Sequence, residues 1–202
     1  MICIIDYGVG NLFSLTCSFN AIGQEIVVSG VAEVIKKADK LILPGVGAFG
    51  DASEKLISTG LDKVVIEQVK KGVPLMGVCL GMQMLFERSF EYGEHKGLGL
   101  LKGDVVPFNL PKEYKIPHIG WNALIFKKES PLLKYVEEKD CVYFVHSYHA
   151  VGCEDSLIAT TEYGEEVTAI VGKNNVYGCQ FHPEKSGDVG LKILKAFSEL
   201  GE

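Results

Sequence analysis

The stretch Val73-Pro74-Leu75-Met76-Gly77-Val78-Cys79-Leu80-Gly81-Met82-Gln83 decides how this chain folds. Gly72 stops the helical pattern before it. Val73 to Val78 is a short unbroken apolar run, as expected of a strand buried on both faces of a parallel sheet. From Leu80 to about Phe90 the pattern turns helical. Cys79 thus stands between two glycines where strand gives way to helix, the Gly-x-nucleophile-x-Gly elbow with cysteine in the serine position. On so sharp a turn the side chain is presented at the sheet edge, and the glycines leave room for the neighbouring strand and helix. The helix start behind Cys79 favours a thiolate, and the amide at Leu80 lies where it could donate to an oxyanion. A buried cysteine whose glycines merely allow close helix packing would read the same way in isolation.

Working outward, the first half alternates strand and helix. Ile2 to Asp6 is an apolar run ending at the glycine turn Tyr7-Gly8-Val9-Gly10. Asn11 caps a helix to Ile22, stopped by Gly23. Glu25 to Ser29 and Lys40 to Leu43 read as strands, and Asp51–Ser58 and Leu61–Lys71 as helices. Such βαβ units predict an α/β fold, a mostly parallel central sheet flanked by helices, with ligands gathering at the carboxyl ends of the strands. The Gly8–Gly10, Pro44–Gly50 and Gly77–Gly81 turns would share that edge. In the second half Val142–Val151, Leu157–Glu162, Val167–Gly172 and Val176–Phe181 read as strands joined by short polar turns, an antiparallel extension of the sheet. A helix from about Gly187 to Leu200 closes the chain. No repeat or linker divides the 202 residues, which are read as one domain, 1–202.

A cysteine nucleophile needs a base, and the base an orienting partner. Of the five histidines, His182 in Gln180-Phe181-His182-Pro183-Glu184 follows a strand and so sits at a strand end. Glu184 is two residues on, across a proline that fixes the turn, and can reach the imidazole nitrogen not used by sulfur. Alone, the motif would suit a surface turn. Pro44-Gly45-Val46-Gly47 also follows a strand. Its glycines allow a backbone N–H at Gly45 or Val46 to turn toward a tetrahedral intermediate, although a plain tight loop or a phosphate cradle would look alike. No Gly-Lys-Ser/Thr follows, so it is not a P-loop.

Composition limits the alternatives. A formal net charge of -6 argues against nucleic acid or an anionic membrane as the main partner. No apolar run reaches the length of a membrane span, and the start lacks a basic n-region and cleavage site, so a cytoplasmic protein is expected. The six cysteines show no CxxC spacing. With the histidines they lack ligand spacing, so no metal and no cofactor is expected.

Gly-Val-Cys-Leu-Gly-Met-Gln, preceded by Pro-Gly-Val-Gly and followed about a hundred residues later by Gln-Phe-His-Pro-Glu, resembles the class I (triad) glutamine amidotransferases over nearly the whole chain. The resemblance implies a flavodoxin-like α/β fold in which Cys79 attacks the glutamine amide, His182 moves the proton and Glu184 orients His182. It further implies substrate contacts at Gly47, Gln83, Ser147 and Tyr148, with Glu91 a weaker candidate.

Asp6-Tyr7-Gly8-Val9-Gly10-Asn11, Lys115-Ile116-Pro117-His118-Ile119-Gly120-Trp121-Asn122, Tyr143-Phe144-Val145-His146-Ser147-Tyr148 and Phe181-His182-Pro183-Glu184-Lys185-Ser186 resemble one subfamily, the glutaminase subunits of imidazole glycerol phosphate synthase. Its partner is a HisF-type (β/α)8 cyclase subunit, in a heterodimer that channels ammonia for histidine biosynthesis. Asn11, Pro117, His118, Trp121, Asn122 and Lys185 would then lie at the subunit interface. Without the resemblance Trp121 would read as a core aromatic and Lys185 as a solvated charge, and His118, His146 and His149 are given no chemical role. A paralogue serving a sugar-amidating synthase, a free-standing Cys-His hydrolase and a non-catalytic scaffold remain alternatives.

Overall fold

The computed structural model describes residues 1–201. β1 (Ile2–Ile5), α1 (Leu12–Ala21), β2 (Ile26–Ser29), α2 (Ala32–Ile35), β3 (Lys40–Leu43), α3 (Phe49–Ser58), α4 (Leu61–Lys70) and β4 (Leu75–Val78) make up the first half. The short helix α5 (Leu80–Gln83) leads to three small strands, β5 (Arg88–Ser89), β6 (His95–Lys96) and β7 (Asp104–Pro107). β8 (His118–Ala123), β9 (Ile125–Phe126), β10 (Cys141–His146), β11 (Tyr148–Val151), β12 (Leu157–Glu162), β13 (Glu166–Lys173), β14 (Val176–Cys179) and α6 (Gly187–Ser198) complete the order.

The central sheet runs β2-β1-β3-β4-β14-β13-β12-β9. Its strands alternate their side chains between two cores, as the period-2 pleat requires. Cys3, Ile5, Leu41, Leu43 and Leu75 join the layer under α3 and α4. Ile2, Ile4, Ile42, Met76 and Val78 join the layer under α1 and α6. Burial on both faces is why these runs are apolar throughout; each fully buried Leu, Ile or Val contributes roughly 1.5–3 kcal/mol.

The sequence-based expectations need three corrections. Val176–Phe181 was expected in the antiparallel extension, but β14 lies parallel to β4, with Cys179 opposite Val78. The antiparallel part begins at β13, with β12 and β9 beyond it. The parallel pairing brings the end of β14 to the edge that carries Cys79.

The helix expected from Leu80 to about Phe90 stops at Gln83. The chain folds back, and amides downstream take the carbonyls a helix would need: Leu98 donates to Met84 at 2.8 Å, Leu100 to Leu85 at 2.8 Å and Gly99 to Phe86 at 3.0 Å.

Val142–Val151 is two strands in two different small sheets, β10 paired with β8 and β11 with β7. The break falls at Ser147, whose carbonyl accepts from Phe108 N–H at 3.4 Å.

Candidate active site

Cys79 has φ +53° and ψ -112°, left-handed backbone that a non-glycine residue holds at a cost of about 1–3 kcal/mol. Its amide donates to Cys179 O at 2.8 Å, tying the elbow to the end of β14. The tight turn is possible because the glycines bring backbone against backbone. A Cβ on Gly45 would lie 2.6 Å from Gly81 N, and one on Gly77 2.6 Å from Met82 N. The loop after β3 therefore sits directly on the start of α5. Leu80 N–H, in the first turn of that helix, has no intrahelical acceptor and is free for a ligand.

His182 enters from β14. Its amide donates to Tyr143 O at 3.0 Å, and the Ser186 hydroxyl donates back to His182 O at 2.6 Å. The Pro183–Lys185 turn is thereby pinned between β10 and α6. His182 Nδ1–H donates to Glu184 Oε1 at 2.8 Å, with both side chains almost wholly buried. Cys79 and His182 both line the same cavity. Burial alone would favour a neutral ring, but the bonds and charges of Cys79 and Glu184 outweigh it and hold His182 up at about 10. Glu184 Oε2 is buried with no partner, so this carboxylate's pairing is concentrated on His182. The structure places Cys79 and His182 on one cavity, with Glu184 on the far nitrogen of the His182 ring.

A cavity of about 320 Å³ opens over the sulfur. Val46, Gly47, Leu80, Gln83, Glu91, Pro117, Ser147, Tyr148 and Lys185 line it together with Cys79 and His182. Glu91 Oε2 accepts from Phe49 N–H at 2.6 Å at the start of α3. A larger cleft of about 1060 Å³ holds no cysteine, serine or histidine, and Arg88 in it pairs with Glu94 and Asp104.

The residues expected at the partner face differ in exposure and in the partners they meet within the chain. Asn11 spends its side chain accepting from Ser14 N–H at the start of α1. His118 is fully buried, stacked on Tyr163 at 3.9 Å between ring centroids. Asn122 donates to Glu162 O at 3.0 Å while its oxygen meets His118 Nε2 at 2.8 Å. Trp121 is 55% exposed and is not a core aromatic. The alternation of β8 turns His118 inward and Ile119 and Trp121 outward.

The sequence reading assigned no role to Gln180, His146 or Tyr7. Gln180 Nε2 lies 3.8 Å from the Cys79 sulfur. Gln180 precedes His182 by two residues, and both lie just past the end of β14. His146 lines the cavity and donates through Nδ1 to Tyr148 O at 2.8 Å. Burial drives its ring down to about 3, so it stays neutral. Its Nε2 lies 3.0 Å from His118 Nδ1, which connects β8 to the cavity. Tyr7 donates its hydroxyl to Pro44 O at 2.7 Å and so braces the loop that carries Gly45 and Val46. Neither interaction has a sequence signal, because each joins segments far apart in the chain.

An elbow cysteine paired with a carboxylate-oriented histidine, at one end of a mainly parallel sheet, defines an amidotransferase of the triad kind. The family description "Glutamine amidotransferase class-I" matches residues 3–199, and the chain belongs to that family. Among solved structures, a glutamine amidotransferase has TM-score 0.76 at 18% identity, covering 98% of each chain. PurLQS from Thermotoga maritima has TM-score 0.75 at 21% identity, with 98% and 96% covered; at such identities the likeness is one of fold.

Sequence relatives are nearer. The imidazole glycerol phosphate synthase subunit HisH of Lactococcus lactis is 55% identical over 199 residues, covering 98% of each chain. That of Caldanaerobacter subterraneus is 53% identical over 201 residues, with 99% and 98% covered. That of Bacillus subtilis is 49% identical over 205 residues, with 99% and 96% covered. Within its class the chain belongs to the HisH family.

Among the described residues no cluster of side chains could hold a metal ion, and no helix is long and apolar enough to cross a membrane.

Proposed function

We propose that Cys79, His182 and Glu184 hydrolyse L-glutamine to glutamate and ammonia, and that the ammonia passes to a HisF-type cyclase subunit. That subunit would use it to make imidazole glycerol phosphate and AICAR in histidine biosynthesis. The observation that carries the reading is the cavity itself. Cys79 and His182 line it with Gly47, Gln83, Ser147 and Tyr148, and Glu184 holds the His182 ring through Nδ1.

In the reaction, the Cys79 sulfur bonds to the amide carbon of glutamine. The oxyanion is met by backbone N–H groups at Leu80 and on the Gly45–Val46 segment. His182, protonated when the sulfur is a thiolate, gives its proton to the leaving nitrogen, the C–N bond breaks and ammonia departs. Water then attacks the γ-glutamyl thioester, giving His182 a proton. The C–S bond breaks, releasing glutamate and restoring the thiolate–imidazolium pair. Glu184 holds the ring in one tautomer through both halves.

The test is glutamate release by the purified chain, with and without a HisF-type barrel and its ribulose-phosphate ligand. Stimulation of about 100-fold or more is expected, in the range one oxyanion donor supplies when brought into place. Full activity without the barrel would overturn partner control. The HisH relatives favour this synthase over a sugar-amidating one.

The partner face has its own prediction. Val46, Ile116, Ile119 and Trp121 are all exposed apolar residues of the loop after β3 and of the segment through β8. A surface aromatic among such residues is a natural anchor. Trp121→Ala is expected to weaken the Kd for the barrel by roughly 30-fold or more, as loss of about 2 kcal/mol at an anchor implies. The free chain's thermal midpoint should not move. An unchanged Kd by titration calorimetry would remove Trp121 from the interface.

A further inference from the structure

Gln180 meets the Cys79 sulfur and has no part in the triad. It is completely buried, just past the end of β14. A carboxamide at that depth must commit its polar atoms to partners, and which atom faces which partner decides its chemistry. Gln180 Oε1 accepts from Gln83 Nε2 at 3.0 Å. Gln83 Nε2 gives its other hydrogen to Tyr148 O at 3.0 Å. The remaining contact is from Gln180 Nε2 to Cys79 Sγ at 3.8 Å.

Neither amide can be turned over. Reversing Gln83 would set its oxygen against both Tyr148 O and Gln180 Oε1. Reversing Gln180 would set two NH2 groups face to face and point an oxygen at the sulfur. The backbone carbonyl of Tyr148 accepts only, so it fixes the sense of the whole chain of donors.

We propose that Gln180 is a catalytic residue whose N–H donates to the Cys79 sulfur and stabilises the thiolate, from a direction independent of His182. The inference rests on Cys79 being the nucleophile. A hydrogen bond to an anion is about twice as strong as one between neutral groups. Gln180 therefore favours the sulfur as thiolate, before attack and again as the thioester breaks and sulfur leaves. In the thioester the sulfur is neutral and the bond is weak. The same carboxamide ties the nucleophile to Tyr148, so the wall of the glutamine cavity and the sulfur are held in one register.

The experiment is alkylation of Cys79 by iodoacetamide across pH, located by peptide mass, in wild type, Gln180→Met and Gln180→Glu. Glu keeps an acceptor for Gln83 and takes the donor from sulfur; Met removes both without adding charge. For Met, the pH midpoint of alkylation is expected to rise by roughly one unit, so that at pH values below the wild-type midpoint alkylation is about tenfold slower, and for Glu by more. In the barrel complex, Gln180→Glu should lower kcat by on the order of tenfold or more while KM for glutamine stays within about threefold. Should Met not fold, Glu carries the comparison by itself. Midpoints equal to wild type with a reactive Cys79 would overturn the proposal and reduce Gln180 to a brace for Gln83. A wild-type Cys79 that does not alkylate would overturn the nucleophile assignment, and this inference with it.

Discussion

Cys79→Ala is expected to lower barrel-stimulated glutamate release by on the order of 10⁴-fold or more, the scale on which loss of a nucleophile is felt in covalent catalysis. The reasoning is local. Cys79 lines the cavity beside His182, whose ring Glu184 holds through Nδ1. Alanine leaves the left-handed φ of +53° as it was, and it keeps the amide bond to Cys179 O. The turn should therefore survive, with a thermal midpoint within about 2 °C of wild type, less than 1 kcal/mol for a chain of this size. Glutamine should still bind, since Gln83, Ser147 and Tyr148 are untouched. The comparison that gives the result its meaning is Cys17→Ala and Cys141→Ala, at the two exposed cysteines. Both should keep full rate. A Cys79→Ala enzyme retaining more than about a hundredth of the wild-type rate would mean that another group performs the attack, and the triad assignment would be withdrawn.

Legibility in the sequence followed the range of the interactions involved. Ile2–Ile5, Lys40–Leu43 and Leu75–Val78 could be read as strands because burial on both faces leaves only apolar residues, and each run ends in a glycine turn. Cys79, His182 and Glu184 were legible because each motif carries its own local geometry. What depended on distant segments was not. Helix α5 ends at Gln83 because amides near residue 98 capture the carbonyls after it, and nothing between Leu80 and Phe90 announces that. Ser147 interrupts an otherwise strand-like run because β10 and β11 find partners in different sheets. His118, expected at the partner face, turns inward through strand alternation and meets His146. The direction of β14 was misjudged since a strand's own residues do not say which neighbour it pairs with. Gln180 is the instructive omission. It lies beyond the end of β14, and only its contact with Gln83 shows which end of its amide faces the sulfur.

Gly81→Ala should be among the most destabilising single substitutions in the chain, although it adds one methyl group. That carbon would overlap the Leu43 carbonyl oxygen and sit 2.8 Å from the Leu43 carbonyl carbon and 3.1 Å from Pro44 C. All three are backbone atoms at the end of a central strand, and no side chain can swing aside to relieve the clash. Either α5 must move off the sheet or the end of β3 must give way. Overpacking of this kind costs about 3 kcal/mol or more, which for some 200 residues lowers Tm by roughly 6–12 °C. Gly60→Ala is the control. Its φ of +71° makes alanine unfavourable, yet open space surrounds it, so it should lose only about 1–2 kcal/mol. The excess at Gly81 measures the close approach itself. Function should suffer beyond stability, because Leu43 leads directly into Pro44-Gly45-Val46, packed so closely on α5 that a Cβ on Gly45 would meet Gly81 N. Folded Gly81→Ala protein should therefore bind the barrel yet show a kcat reduced by on the order of tenfold or more, as for a donor displaced from an oxyanion. A Tm for Gly81→Ala no lower than that of Gly60→Ala would show that β3 and α5 can separate freely, and the elbow would lose its account as a turn held by backbone packing.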